Sequence, residues 1–442
     1  MKTSALFTDL YELTMAQAYA AEHMNQVAVF ELTFRQMPGN RNYIVAAGIG
    51  DVLDFLSKFH FSREDLDYLR SRGEFSEVFL QRLEGLRFTG DVYALAEGTL
   101  VFPNEPIVQV IAPILEAQLM ETLVLNQVHF QSLAVAKAAR VVGAAKGRSI
   151  VDFGSRRAHG TDAALKVART TYLAGGAGTS NVLAGMMYGI PVFGTMAHSY
   201  VQAHDSEAAS FEAFAALYPE TTLLVDTYDT LEGVRKVIDL SRKLGDRFRV
   251  RAVRLDSGDL GSLASQARKI LDEAGLKCVT IFVSSSLDEY QIEDLVRAGA
   301  PIDAFGVGTK LAVMDDASHL DMAYKLVEYD GKGRLKLSTS KVLHPGRKQV
   351  FRQVEGHMLQ DVIGRFDEEL PGERLLQPVM RQGHMTGHVN LEESRRRFQS
   401  ELQRLPDQFR KLESSPVPYS VRFSERLQED LDRIRKEIAH GT

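Results

Sequence analysis

The sequence predicts an α/β fold: an irregular (β/α) barrel, preceded by an N-terminal α+β domain and followed by a helical C-terminal extension. Three observations predict it. Seven short apolar runs, rich in Val and Ile, end in glycine or polar residues. Helical patterns lie between them, and the runs recur about every 20–30 residues, as βα units do. Nearly every run carries its polar residues at its C-terminal end, whereas a doubly wound open sheet would gather them at one switch point.

Taken in order, "LTMAQAYAAEHM" reads as an amphipathic helix and "QVAVFELTFRQMP" alternates like a strand. "DVYALAEGTLVFPNEPIVQVIAP" reads as antiparallel strands turning at Gly98 and at "PNEP". A long helical stretch from Glu116 to Ala145 leads into the barrel. The seven runs follow: "SIVDFGSRR" (149–157), "TTYLAGGAGTSN" (170–181), "IPVFGTMAHS" (190–199), "TLLVDTYDT" (222–230), "VRAVRLDSGD" (250–259), "CVTIFVSSS" (278–286) and "IDAFGVGTK" (302–310). The intervening "LEGVRKVIDLSRKLG", "LGSLASQARKILDEAG" and "LDEYQIEDLVRAGA" place apolar residues three and four apart and reach a glycine near the end. After about residue 325, "VEYDGKGRLKLS" reads as a hairpin around Asp330–Gly331. In the tail, "LEESRRRFQSELQRLPDQFRKL" interleaves arginines with acids, the pattern of a solvated helix face rather than a nucleic-acid surface. The expected domains are 1–112 (α+β), 113–330 (barrel) and 331–442 (hairpin and helices packing on the N-terminal domain).

The 442 residues are 45% hydrophobic and 25% charged, the balance of a globular chain, and too long for one ordinary domain. Lysine plus arginine is 52 and aspartate plus glutamate 58, so the net charge is 52 − 58 = −6. That balance gives no pull toward nucleic acid or an anionic membrane. No run of about 18 apolar residues exists to span a bilayer. The start "MKTSALFTDLYELTMAQAYA" has no long apolar core and carries Asp9 and Glu12, so a cytoplasmic location is expected. The single cysteine, Cys278, excludes an internal disulfide; in "CVTIFV" it is expected to be a buried, inert thiol.

The candidate chemistry sits at run ends. In "GIPVFGTMAHSY", Ile190–Phe193 read as a short buried strand that passes directly into Gly194, Thr195, His198 and Ser199. Those groups can carry a proton or a phosphate. No HExxH or paired Cys/His spacing marks a metal site. In "RLDSGD", Arg254 stands beside Asp256 and Asp259, carboxylates able to accept from sugar hydroxyls or hold Mg²⁺. Helix capping by Asp256 or Ser257 explains one acid, not two beside an arginine. "FGVGTK" offers Gly306, Gly308 and Thr309 as a phosphate cradle, and the neighbouring run adds Ser284, Ser285 and Ser286 as donors. "DFGSRR" puts Phe153 beside Arg156 and Arg157. This suits a flat ring bearing a carboxylate, and equally a core phenylalanine flanked by surface arginines.

As a set, "TDLYELTM" (8–15), "EGTLVFPNEP" (97–106), "DFGSRRAHG" (152–160), "GGAGTSN" (175–181), "GTMAHS" (194–199), "DTYDT" (226–230), "RLDSGDL" (254–260) and "FGVGTKL" (305–311) resemble the nicotinate phosphoribosyltransferase family. The resemblance implies the type II phosphoribosyltransferase barrel, a homodimer with active sites shared between subunits, and a reaction. Nicotinate and phosphoribosyl pyrophosphate give nicotinate mononucleotide and pyrophosphate, the first step of NAD salvage from nicotinic acid, with Mg²⁺. ATP hydrolysis is coupled through a phosphorylated histidine, which makes the enzyme a C–N ligase. Carried over by motif, the phosphorylated residue is His198, with Ser199 beside it as a phosphoryl donor. Arg254 and Asp256 fall at the nicotinate–ribose junction, with Asp259 and Ser284 nearby. Phe153 and Arg156 match the pyridine-ring site, and Tyr11 an aromatic from the neighbouring chain. Gly306, Gly308 and Thr309 match the 5′-phosphate loop, and Arg41 a pyrophosphate contact. Nicotinamide-using relatives carry aspartate where this chain has Ser180, so nicotinate is the expected ring. The chain departs from the pattern at Ser284-Ser285-Ser286, where many relatives read Ser-Gly-Asp or Ser-Asn-Asp. Outside the family, a barrel aldolase would want a strand-end Schiff-base lysine, for which Lys310 is the candidate. A non-catalytic nucleotide sensor would show no turnover.

Overall fold

The computed structural model describes residues 4–337 and 343–440. Met1–Thr3, Ser338 at the end of the expected hairpin stretch, and Gly441–Thr442 lie outside them. The chain forms two compact units, one built from the residues up to Ala136 together with those from Asp316 onward, the other from Lys137 to Asp315. The C-terminal residues thus share a unit with the N-terminal ones.

In the first unit a seven-stranded sheet carries the core. The strand Val27–Phe34 lies between Met322–Tyr329 and Val108–Pro113, antiparallel to both. It does not alternate as expected: every residue after Val27 is buried, because the strand is central and covered on both faces. The antiparallel pairing of Asp91–Leu95 with Val108–Pro113 is as read from sequence. Gly98 turns the chain at φ 92°, where a Cβ would stand 2.2 Å from the Ser394 carbonyl oxygen. The hairpin at Asp330–Gly331 also forms, with φ of 53° and 68° and Tyr329 opposite Lys332. From the C-terminal segment, Leu376–Arg381 joins the same sheet against Asp91–Leu95. That segment was expected to hold one hairpin and helices. It also contains a four-stranded sheet of Glu373–Arg374, Lys348–Glu355, His357–Arg365 and Val421–Phe423. The arginine-rich helix Leu391–Arg404 spends part of its charge internally: Arg397 donates to the Glu97 carbonyl at 2.8 Å and Arg404 pairs with Glu373 at 2.7 Å.

The second unit is a six-stranded sheet in which every pairing is parallel. In chain order its strands are Ser149–Asp152, Gly178–Thr179, Thr222–Leu224, Ala252–Leu255, Thr280–Ser285 and Ala304–Val307. The last pairs with the first, so the order is cyclic, with one unpaired seam before Thr222–Leu224. Helices follow the strands because the loops supply caps. Asp229, Asp259 and Asp288 each accept a backbone N–H three residues on.

Three sequence expectations fail here. Residues 170–173 finish the helix Thr161–Leu173, where the Thr170 hydroxyl is satisfied by the Lys166 carbonyl, so the run 170–181 yields only the strand Gly178–Thr179. Ile190–Phe193 are not a buried strand. Only a bridge from Val192 to Thr179 forms, and Val192 and Phe193 are 46% and 42% exposed. Cys278 lies one residue before the buried Val279 and is exposed.

Candidate active site

Because the strands of the second unit run parallel, their C-terminal ends share one edge, and the loops there carry the candidate residues. Arg254, on the strand Ala252–Leu255, is the centre. Its Nε donates to Ser284 Oγ at 2.7 Å, Nη1 to Thr195 Oγ1 at 3.0 Å and Nη2 to Asp256 Oδ1 at 2.9 Å. The Ser284 hydroxyl in turn donates to Asp256 Oδ1. Burial pushes the Asp256 carboxyl up. The Ser284 hydroxyl and the Arg254 guanidinium outweigh it and hold the group below the usual carboxylate range. Asp256 is thus an anion at neutral pH, aimed across the edge.

His198 opens the short helix His198–Gln202. Its Nδ1 lies 3.1 Å from Thr227 Oγ1 and its Nε2 3.7 Å from Asp256 Oδ2, with the side chain 41% exposed. The imidazole is held on one side and open on the other. Ser199 is exposed next to it. Asp226, after the strand Thr222–Leu224, accepts from the Asp256 N–H at 2.8 Å and the Ser257 hydroxyl at 2.7 Å, both on Oδ2. Its Oδ1 is buried with no partner. A buried carboxylate oxygen without a donor is costly unless a ligand or cation completes it.

Phe153 follows the strand Ser149–Asp152. Its ring lies 5.4 Å from the Arg254 guanidinium carbon and 5.6 Å from the Phe282 ring. Gly306 is glycine for that ring: a Cβ there would stand 2.7 Å from two of its carbons. Gly308 caps the five-residue helix Thr309–Val313, and Thr309 is exposed at its start. Ser180 has its N–H on the Asp152 carbonyl at 2.8 Å. Arg156 is exposed and makes no ion pair among the described residues. The helix that follows is capped by Asp259 rather than by Asp256 or Ser257, the two residues weighed for that part: Asp259 Oδ1 accepts from the Ser262 N–H at 3.1 Å. Lys310 is ion-paired to Asp315 at 2.6 Å, which speaks against a free Schiff-base amine. Ser285, at the end of its strand, carries a φ of 146°.

Tyr11 and Arg41 belong to the other unit. Tyr11 is 47% exposed on the helix Leu10–Ala21, and burial and the Glu121 carboxylate push its phenol up. The Arg41 side chain is buried, pairs through Nη1 with Asp316 at 2.6 Å, and leaves Nε and Nη2 without partners.

The sequence matches the family models for the nicotinate phosphoribosyltransferase N-terminal domain over residues 6–129, the nicotinate phosphoribosyltransferase family over 148–349, and the C-terminal domain over 372–431. It is 60% identical over 434 residues to nicotinate phosphoribosyltransferase pncB2 of Mycobacterium tuberculosis, covering 98% of this chain and 94% of that one. The chain belongs to the nicotinate phosphoribosyltransferase family. The nicotinate phosphoribosyltransferase of Bacillus subtilis is 44% identical over 383 residues, 84% of this chain and 78% of that protein. The crystal structure of human nicotinic acid phosphoribosyltransferase superposes with a TM-score of 0.87 at 31% identity, covering 97% and 99% of the two chains.

In this chain the edge joins Arg254, Asp256 and Ser284 in one hydrogen-bonded cluster, with His198 Nε2 3.7 Å from Asp256 and Phe153 against the arginine. Thr195, one of the hydroxyls noted after the run 190–193, joins it, while sequence reasoning missed Asp226 and Thr227, which complete it. The available signal was the strand-end acid in "TLLVDTYDT", read only as part of a motif. Among the described residues no group of three or more His, Cys, Asp or Glu stands together to hold a metal ion, and no helix is long and apolar enough to cross a membrane. The donor set fits Mg²⁺ arriving on a phosphate substrate: such an ion takes one or two protein carboxylates, and Asp226 Oδ1 is unpartnered.

Proposed function

We propose that the protein is a nicotinate phosphoribosyltransferase that takes the first step of NAD salvage from nicotinic acid. The nicotinate ring nitrogen attacks the anomeric carbon of phosphoribosyl pyrophosphate. The C–O bond to pyrophosphate breaks, and nicotinate mononucleotide and pyrophosphate leave. The observation that carries this reading is the Arg254–Ser284–Asp256 cluster, with His198 and Asp226 beside it, on the strand-end edge of a family member.

The residues divide the work by charge. Positive charge grows on the ribose as pyrophosphate departs, and the Asp256 anion, held by two hydrogen bonds on Oδ1 and by its backbone N–H on Asp226, stands ready to oppose it. Asp226 would hold the Mg²⁺ that accompanies phosphoribosyl pyrophosphate, and that ion would supply charge neutralisation for the leaving group. Phe153 offers a face to the pyridine ring, and Arg156 an unpaired guanidinium to its carboxylate. Gly308 and Thr309 receive the 5′-phosphate; Ser284, bonded between Arg254 and Asp256, acts by holding them. No side chain need act as base, because the ring nitrogen is already a nucleophile.

His198 couples ATP. Its imidazole attacks the terminal phosphoryl group, ADP leaves, and water later cleaves the phosphohistidine to phosphate and free histidine. Ser199 donates to a phosphoryl oxygen. The active form is a homodimer. Supporting this, the helix Val182–Tyr188 and the segment after it expose Val182, Leu183, Met186, Met187, Val192 and Phe193, an apolar surface suited to a second copy. Tyr11 then completes a neighbour's ring site.

The test is pyrophosphate release from phosphoribosyl pyrophosphate, with nicotinate and nicotinamide compared, with and without ATP. The expected result is nicotinate-dependent release, stimulated by ATP. His198→Ala should abolish ATP hydrolysis and acid-labile phosphate incorporation yet keep a slow ATP-independent transfer. Full acid-labile labelling of His198→Ala would place the phosphate elsewhere.

A further inference from the structure

Asp152 has no part in the chemistry above, and its surroundings are unusual. It ends the strand Ser149–Asp152 with no exposed surface, and no ion pair reaches it among the described residues. A buried carboxyl without a cation is costly unless hydrogen bonds hold it. Two do. The Gly154 N–H donates to Oδ1 at 2.7 Å and the Thr179 hydroxyl to Oδ2 at 2.7 Å. Burial pushes the group's pKa up, and these two donors pull against it.

The donors come from two neighbouring segments, the loop after Asp152 and the end of the adjacent strand Gly178–Thr179. Gly154 directly follows Phe153, and Thr179 directly precedes Ser180. A ladder bond and a side-chain bond repeat the link: the Ser180 N–H donates to the Asp152 carbonyl at 2.8 Å, and Asn181 Nδ2 to Ser155 Oγ at 3.1 Å, while the Asn181 N–H turns back onto Thr179 Oγ1 at 3.0 Å within its own segment. The fit is close. A Cβ on Gly154 would stand 3.0 Å from Asp152 Oδ1 and 2.7 Å from the Ala312 Cβ. A residue needed only to fill the core would be apolar here, as Ile150 and Val151 are. An acid that spends one oxygen on each loop sets the distance between them.

We propose that Asp152 is a positioning residue for the pyridine-ring site: its carboxylate braces the Phe153 loop against the Ser180 loop and so fixes the slot the ring enters. The proposal rests on the nicotinate reading above. A ring held face-on by Phe153 needs a slot of fixed width, so a shifted loop weakens the binding of the ring before it touches anything that holds phosphoribosyl pyrophosphate. Asparagine cannot accept from both donors, since one of its oxygens becomes an NH₂ group. Thr179→Val removes the hydroxyl at nearly constant volume, and Thr179→Ser keeps it.

The experiment is steady-state kinetics on the full chain, varying nicotinate and phosphoribosyl pyrophosphate separately, beside thermal unfolding of each variant. Asp152→Asn and Thr179→Val should each raise the nicotinate KM at least tenfold and leave the phosphoribosyl pyrophosphate KM within twofold. Thr179→Ser should stay near the parent. Equal rises in both KM values, or a lower kcat at unchanged nicotinate KM, would mean a merely structural acid and overturn the proposal. If Asp152→Asn does not fold, the Thr179 pair decides: a raised nicotinate KM in Val and not in Ser supports the brace, and indistinguishable KM values remove it. A parent that turns over nicotinate while every variant keeps its KM removes the brace alone. A parent that never uses nicotinate overturns both it and the reading beneath it.

Discussion

Arg254 and Arg352 meet similar partners in opposite surroundings. Arg352 is wholly buried: Nε and Nη2 fork onto Asp361 at 3.0 and 2.6 Å, Nη1 bonds Glu401, and Nη2 also reaches the Leu100 carbonyl at 2.9 Å. The Tyr419 hydroxyl closes the cluster on Asp361 at 3.0 Å. Around Arg254 the side chains stay open, with Asp256 30% and His198 41% exposed, and Asp226 keeps an oxygen without a partner. The sealed cluster has its guanidinium satisfied by protein atoms. The open one keeps acceptors in reserve, which is what a site for a charged ligand needs. Arginine–carboxylate pairs thus serve two ends in one chain, and burial decides which.

Exchanging the damage between the two breaks the comparison most severely. Arg352→Ala strands Asp361 and Glu401 in the interior, and breaking such a pair costs about 3–5 kcal/mol. Thermal unfolding should show a Tm lower by roughly 10 °C. Arg254→Ala leaves Asp256 part-exposed and the buried Ser284 still bonded to it, so the Tm should move by no more than about 2 °C. The same change removes the group that orients Asp256 and Ser284, so kcat/KM for nicotinate should fall by about 10³, or ~4 kcal/mol. A variant of Arg254 that unfolds, or one of Arg352 that folds normally but is inactive, would reverse the roles argued here.

Much of the alternation of strand, polar loop and helix after Thr222 was legible because apolar runs and helical spacing were separate there, and the loops before three of the helices end in the caps Asp229, Asp259 and Asp288. Arg254 and Asp256 stood out as candidates because they sit at and just after a strand end of a parallel sheet, whereas His198 stood out by its hydroxyl-rich surroundings, the strand expected before it being absent. What was not legible depends on neighbours distant in sequence. Thr195 matters only because Arg254 lies 3.0 Å away, and Thr227 only because it meets His198. Asp152 looked like the last residue of a strand until Thr179 was seen against it. The short edge strand Glu373–Arg374 carries no apolar pattern at all, so nothing local distinguished it from a loop. Val192 and Phe193 misled in the other direction: apolar side chains read as buried, yet they are exposed.

Ser180→Asp sharpens the view of the open site. The Ser180 hydroxyl makes no hydrogen bond among the described residues, and its backbone is fixed on Asp152. A carboxylate there would face the carboxylate of nicotinate, and both would be partly desolvated. Nicotinate kcat/KM should drop at least about tenfold, or ~1.4 kcal/mol, while nicotinamide is spared. Equal use of acid and amide by the unmodified protein would sink this account of selectivity.

The sealed cluster has one flaw, and it titrates. Glu105 is fully buried with Oε1 unpartnered. Burial, then the Asp361 carboxylate, pushes its pKa well above the ordinary value. A proton on Glu105 lets it donate to Asp361. The folded pKa is raised, so this stability is complete below the unfolded value of about 4.3 and is lost as pH rises through the folded one. Glu105→Gln supplies the donor permanently. Melting curves between pH 5 and 9 should show the parent losing stability as pH rises and the variant losing less, a gap of about 2–4 °C at the alkaline end. Parallel curves would mean that Glu105 does not titrate in this range.

Strain is the last difference between the two regions, and the smallest in expected effect. At the open edge Ser285 holds a φ of 146°, a conformation natural to glycine, at the end of the strand Thr280–Ser285. Its neighbour Ser284 is the bridge between Arg254 and Asp256, so the backbone there is set by the cluster rather than by Ser285 itself. A non-glycine residue held this way costs about 1–3 kcal/mol. Glycine removes that strain but gains freedom in the unfolded chain, worth about 0.4–1 kcal/mol against it. The net gain for Ser285→Gly is therefore about 1 kcal/mol, a Tm rise of about 2–4 °C. Ser285→Ala keeps the strain and loses only the hydroxyl, so its Tm should match the parent. The two variants together separate backbone from side chain. A Tm for Ser285→Gly at or below that of Ser285→Ala would show that the edge is not strained, and the contrast with the sealed cluster would then rest on exposure alone.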